Sequence, residues 1–177
     1  MRTKRLYSRQ LVKAAVHALG LAVSSALGYC LMTTLLQQAR FLSRDNNLLG
    51  GMWAAISAVF VFRDNYDQSL DAAFLRLAAT VVSSALCLLY LLVFPFYTWG
   101  LAALIGIGSM LVTLANHPDA AVTTGITIAV IMVVAALSPH NAWQQPILRL
   151  MDTLVGAVAA VAVAKLAQYL HKQTGGI

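Results

Sequence analysis

Six long apolar stretches follow one another along this chain, separated only by short polar turns, and nothing else in it limits the fold so strongly. By position these run over about 11–36, 48–62, 72–94, 98–115, 120–137 and 147–169. A helix needs roughly 20 apolar residues to cross about 30 Å of hydrocarbon. Six such helices take up about two thirds of a chain of 177 residues, leaving no room for a sizeable soluble domain. The composition agrees, since 60% of residues are hydrophobic and only 10% charged, against about 25% charged in soluble domains. The expected fold is an all-α membrane protein in which residues 1–177 form a single transmembrane domain of six helices.

The turns are legible from their residues. Pro95 stops the third segment because proline cannot donate to the helical ladder. Asn116-His117-Pro118-Asp119 and Ser138-Pro139-His140-Asn141 read as turns by the restriction proline places on its predecessor. Before the third segment lies a polar run, Arg63, Asp64, Asp67, Ser69 and Asp71, in which Asp67 or Ser69 is placed to cap the helix. The first apolar run is too long for a secretory signal and reads as the first transmembrane helix.

A net charge of +6 would suggest nucleic acid as a partner for a soluble protein. Here the basic residues gather at segment ends, with Arg2, Lys4, Arg5 and Arg9 before the first helix and Lys172 after the last. No basic face is interleaved with exposed aromatics, so nucleic acid is not expected and the lipid bilayer is. With six crossings and both termini inside, nine of the Lys and Arg residues fall on the inner side and three (Arg40, Arg44 and Arg149) on the outer. That bias predicts cytoplasmic termini. Trp53, Trp99 and Trp143 then fall near the outer interface, which suits their amphipathic rings.

The chain also repeats itself. Residues 75–83, LRLAATVVS, align with residues 148–156, LRLMDTLVG, at an offset of 73. Two repeats, about 11–94 and about 98–170, would each hold three helices. An odd number of spans inverts the second repeat relative to the first, a plan common among transporters.

Few residues carry chemistry. The chain has no glutamate, so any carboxylate work falls to Asp45, Asp64, Asp67, Asp71, Asp119 and Asp152. Arg76 and Arg149 each sit about one turn into an apolar stretch. Charges in such places face a cavity or a partner, or snorkel to the interface. In the first case their guanidinium forks would grip a carboxylate through paired hydrogen bonds, with Thr80 and Thr153 one turn further along the same faces as further substrate contacts. Asp152 lies three residues after Arg149 on one helix face, and either pairs with it or holds a proton for coupled transport. Asp71, some 140° round the helix from Arg76, is a second candidate for proton coupling. Asp119, Thr123 and Thr127 form a four-residue stripe that either lines a polar path or, for the threonines, bonds back to the preceding turn. His117 is a solvated turn residue or a proton relay. Cys30 and Cys87 read as small buried hydrophobes. Nothing points to a catalytic pair, a phosphate loop, a metal site or a cofactor, so an enzyme is not expected.

Two small-residue stripes, Gly20-Ser24-Gly28 and Gly156-Ala160-Ala164, allow helices to approach closely in lipid. They exceed what one internal contact needs, which predicts a homodimer or higher homo-oligomer.

Gly51-Met52-Trp53-Ala54-Ala55-Ile56, the turn with Tyr66, and then Leu75-Arg76-Leu77 with Thr80 resemble the fusaric-acid-resistance family. Arg149, Asp152, Thr153 and Gly156 resemble its last-helix signature. Two departures stand out: Ala79 sits where the family often has glycine, and the large cytosolic domain of longer members is missing. Relatives include bacterial aromatic-acid exporters and, more distantly, plant malate channels. The resemblance implies a transporter that exports small organic anions, aromatic carboxylates above all, across a bacterial inner membrane. A periplasmic adaptor protein would be a further partner. A passive anion channel and a scaffold that transports nothing are the alternatives.

Overall fold

A computed structural model describes residues 2–38, 44–137 and 142–173. Among these the elements are all α-helices: α1 (Arg2–Gln38), α2 (Arg44–Val61), α3 (Tyr66–Val93), α4 (Thr98–Leu114), α5 (Ala120–Leu137) and α6 (Gln144–Gln173). Arg40 and the expected turn at Ser138-Pro139-His140-Asn141 lie outside the described residues.

Four helices contain a stretch long and apolar enough to cross a membrane: Gln10–Gln37, Tyr66–Val93, Ala120–Leu137 and Gln144–Leu170. The apolar parts of α2 and α4 are shorter, Asn47–Val61 and Thr98–Leu114. At about 1.5 Å per residue these reach only about 23 and 26 Å, short of a hydrocarbon core of about 30 Å. The chain is therefore a multi-pass membrane protein, all-helical among the described residues, where six helices are found and four of them reach the length of an unaided crossing.

Helix ends depart from the hydropathy boundaries for a physical reason. Hydropathy marks where hydrocarbon would begin, whereas capping marks where the helix begins. Thus α3 starts at Tyr66 rather than Ala72, because Asn65 Oδ1 accepts the Asp67 backbone N–H at 3.0 Å. Neither Asp67 nor Ser69 is the cap. Ser69 is buried and clasps the turn instead, accepting from the Arg63 N–H at 2.8 Å and donating to the Arg63 carbonyl at 3.1 Å. At the end of α4 the chain closes a Schellman motif. The Asn116 N–H bonds the Thr113 carbonyl and the His117 N–H bonds the Val112 carbonyl, both at 3.0 Å. This needs the left-handed backbone that Asn116 adopts, with φ of 68°.

The chain divides into two compact units. The first comprises Met1–Ala73 and Val155–Ile177, the second Phe74–Leu154. In the first, α1 and the later part of α6 both pack on α2. Ala58, Val61 and Phe62 of α2 and its end meet Ala157, Ala160 and Ala164 of α6 in one core. The approach is close because side chains are missing. A methyl on Gly28 would lie 3.2 Å from the Ala54 carbonyl oxygen; one on Gly156 would run into that same oxygen and sit 2.8 Å from Ser57 Cβ. Gly20 is covered by the Phe62 ring. Both small-residue stripes are thus occupied by α2 within one chain, and neither remains as surplus surface for a second copy.

The second unit holds α3 from Phe74 onward, α4, α5 and the start of α6. Cys87, Leu104, Ile128, Ile131 and Met132 form one core, and Ala79, Val112 and Ala120 another. Cys87 is buried as expected, but Cys30 is exposed on α1. Across the chain the usual distribution of polarity is reversed. Phe74, Trp99, Val122 and Leu137 face outward, while Ser24, Ser57, Thr80, Ser83, Thr124 and Thr153 are fully buried. In lipid this is the favourable order, since polar side chains find partners only between helices.

Candidate functional site

Within the second unit, the buried charged side chains are Arg76, Arg149 and Asp152, at 5%, 3% and 3% exposure. They come from two helices, α3 and the start of α6. Arg76 lies ten residues, roughly 15 Å, from the start of α3 and about one turn past the start of its apolar run near Ala72. At 5% and 3% exposure both arginine side chains are enclosed by the fold rather than reaching out to solvent. Arg149 is within electrostatic reach of both Asp152 and Arg76, so the two arginines, 73 positions apart, belong to one site. Asp152 Oδ1 makes no hydrogen bond among the described residues.

The arginines are held by matching local structure. Thr80 Oγ1 donates to the Arg76 carbonyl and Thr153 Oγ1 to the Arg149 carbonyl, each at 2.9 Å. The two threonine oxygens then face each other at 3.5 Å. With their protons directed to their own helices, the hydroxyls meet as a close contact between α3 and α6 and brace the two arginine-bearing turns. Residues at equivalent positions of the repeat thus touch each other.

Polar residues not singled out from the sequence extend this face. On α3, Ser83 and Ser84 are buried one turn beyond Thr80. Ser83 Oγ lies 2.7 Å from the Ala79 carbonyl and 3.2 Å from the Thr124 carbonyl of α5. The hydroxyls of Ser84 and Thr124 make no hydrogen bond among the described residues. On α6, Gln145 is buried one turn before Arg149. The signal for the α3 serines was the helical spacing 76, 80, 83, 84, which puts them on the arginine's face.

Asp71 and Asp119 are exposed, Asp119 in the turn before α5. Thr123 is half-buried, and Thr127 is buried with its hydroxyl donating to the Thr123 carbonyl at 2.8 Å, the back-bonded alternative. His117 is exposed in its turn. A cleft of about 490 Å³ lined by Leu91, Pro95, Phe96 and Ala135 lies toward the other end of α3. Its lining begins fifteen residues after Arg76, about 22 Å along the helix. Among the described residues no group of His, Cys or Asp could hold a metal ion.

Helices that face apolar side chains outward and bury polar ones, with Arg76, Arg149 and Asp152 among the latter, mark a multi-pass membrane protein. The fusaric acid resistance protein-like family matches residues 39–163, more than half of the chain, and the chain belongs to that family. It is a family of membrane transporters. No curated protein and no solved structure matches the chain.

Proposed function

We propose that this chain exports small organic anions, aromatic carboxylates in particular, across a bacterial inner membrane, with Asp152 carrying a coupled proton. The observation that carries the reading is the enclosure of Arg76 and Arg149 in one buried site. Charges are costly inside a membrane and mark substrate or ion paths, and a guanidinium suits a carboxylate better than any other side chain does. Asp152, beside Arg149, is the one carboxylate buried with them among the described residues, which makes it the candidate for the proton.

The proposed architecture is a single membrane domain of two three-helix repeats in inverted topology, about 11–94 and 98–170, with all six helices crossing and both termini cytoplasmic. Support comes from the contact between the equivalent Thr80 and Thr153, and from their identical bonds to the preceding arginine carbonyls. The two compact units do not follow these repeat bounds: one joins α1 and α2 to the end of α6, the other joins α4 and α5 to most of α3. A working homo-oligomer, and an adaptor on the periplasmic side, rest on the family resemblance alone.

Flux of a radiolabelled aromatic carboxylate in proteoliposomes, with and without a pH gradient, tests the reading. Gradient-dependent uptake supports it. Uptake indifferent to the gradient would make the protein a passive channel, and none at all would leave a scaffold.

A further inference from the structure

The cleft toward the far end of α3 is apolar in every side chain that lines it, among them Leu91, Phe94, Pro95, Phe96, Ala135 and Ala136. Part of its wall is nevertheless polar, and since no lining side chain carries nitrogen or oxygen, that part is main chain. The main chain there offers acceptors rather than donors. On α3 the N–H groups up to Val93 belong to the helical ladder, and the Phe94 N–H donates to the Tyr90 carbonyl at 2.8 Å. The next bond in that series would run from residue 95 to the Leu91 carbonyl, but residue 95 is proline and has no N–H. On α5 the Ala135 carbonyl would take its bond from residue 139, again a proline. A proline four residues on thus denies a helical donor to one carbonyl in the last turn of each helix, and both residues line the cleft.

We infer that this cleft binds a small organic cation, an apolar ring carrying an ammonium head that donates to the carbonyls at these two helix ends. Each helix C-terminus is the negative pole of its helix and presents orphaned acceptors. An ammonium brings donors and a positive charge to them, whereas a carboxylate would bring only further acceptors and a negative charge. The rings of Phe94 and Phe96 add to the preference, because aromatic faces attract cations, and Phe94 is held by its contact with the Tyr90 ring at 5.5 Å between centroids. A volume of about 490 Å³ falls in the range of small-molecule sites. A bare metal ion would leave the apolar walls unused, while a ring fills them. The cleft begins fifteen residues beyond Arg76, and its preference has the opposite sign to that of the arginines, so it stands apart from the anion-transport reading.

The test measures equilibrium binding of radiolabelled phenethylammonium to the full chain in detergent, with protein-free micelles as the blank, at about pH 7, where an alkylammonium is protonated. Phenethyl alcohol and hydrocinnamate carry the same ring and chain with a neutral and an anionic head. The ammonium should bind about tenfold or more tighter than hydrocinnamate, with the alcohol between them. Ala136→Phe, which fills the cleft, should weaken ammonium binding by about tenfold or more. Pro95→Ala, which gives the Leu91 carbonyl a helical donor, should weaken it by about threefold. Uptake of the ammonium no greater than by the blank overturns the inference, and so does hydrocinnamate binding as tightly as the ammonium. Both readouts use the unmodified protein and need no variant to fold. A folded Ala136→Phe protein with unchanged ammonium affinity would likewise place the bound cation elsewhere and overturn the assignment to this cleft.

Discussion

Replacing Gly156 by alanine adds one methyl group where α6 crosses α2. That methyl would press into the Ala54 carbonyl oxygen and lie 2.8 Å from Ser57 Cβ and 3.1 Å from the Ala54 carbonyl carbon. None of these is the far end of a flexible side chain, so relief requires the helices to separate. Overpacking of this kind costs about 1–3 kcal/mol, and a backbone obstacle puts Gly156 at the upper end. Against it stands the gain in helix propensity from glycine to alanine, about 1 kcal/mol. The net loss is about 2 kcal/mol, or roughly 4–8 °C in Tm for a chain of this size. Gly106 on α4 is the internal control, since a methyl there meets nothing within 4 Å. Gly106→Ala should keep only the propensity gain and raise Tm by about 2–4 °C. The assay is thermal unfolding in mild detergent, read by a thiol-reactive fluorophore at the buried Cys87 after the exposed Cys30 is changed to alanine. Opposite signs at the two glycines are expected. A Gly156→Ala protein as stable as its parent would refute the close packing of α6 on α2.

Other outcomes follow from the same structure. Arg76→Lys and Arg149→Lys should each lower anion transport about tenfold or more, because an ammonium cannot reproduce the bidentate fork; near-normal flux in both proteins would remove the arginines from the substrate site. Lys4→Cys and Gln173→Cys should be shielded from impermeant thiol reagents in intact cells while Ser43→Cys reacts, and labelling at Lys4→Cys would reverse the proposed orientation. Asn116→Gly should leave Tm nearly unchanged, whereas Asn116→Val should cost about 1–2 kcal/mol through its left-handed backbone; equal melting of the two would contradict the Schellman closure of α4.

The class of protein, and which polar residues share a helix face, were legible in the sequence. Long apolar runs leave no alternative to membrane helices, because backbone groups in hydrocarbon must bond within their own segment. The spacing in LRLAAT and LRLMDT put an arginine and a threonine on one face of each of two helices, and both faces are buried in the structure. Where the helices begin was less legible, since an asparagine cap at Asn65 carries α3 six residues beyond its apolar run.

Which surfaces meet was decided only by packing. A small-residue stripe reads the same whether it packs on a neighbour in its own chain or on a second copy. The placement of Gly28 and Gly156 against the same Ala54 carbonyl resolves that for both stripes. An isolated arginine in an apolar run likewise reads as an anchor or as part of a site. Folding brings residues 73 apart to a 3.5 Å contact between Thr80 and Thr153 and draws the two arginines into one buried place. Both cases have one cause: a helix's own sequence determines which residues share a face, but the partner of that face is chosen in competition with every other helix of the chain.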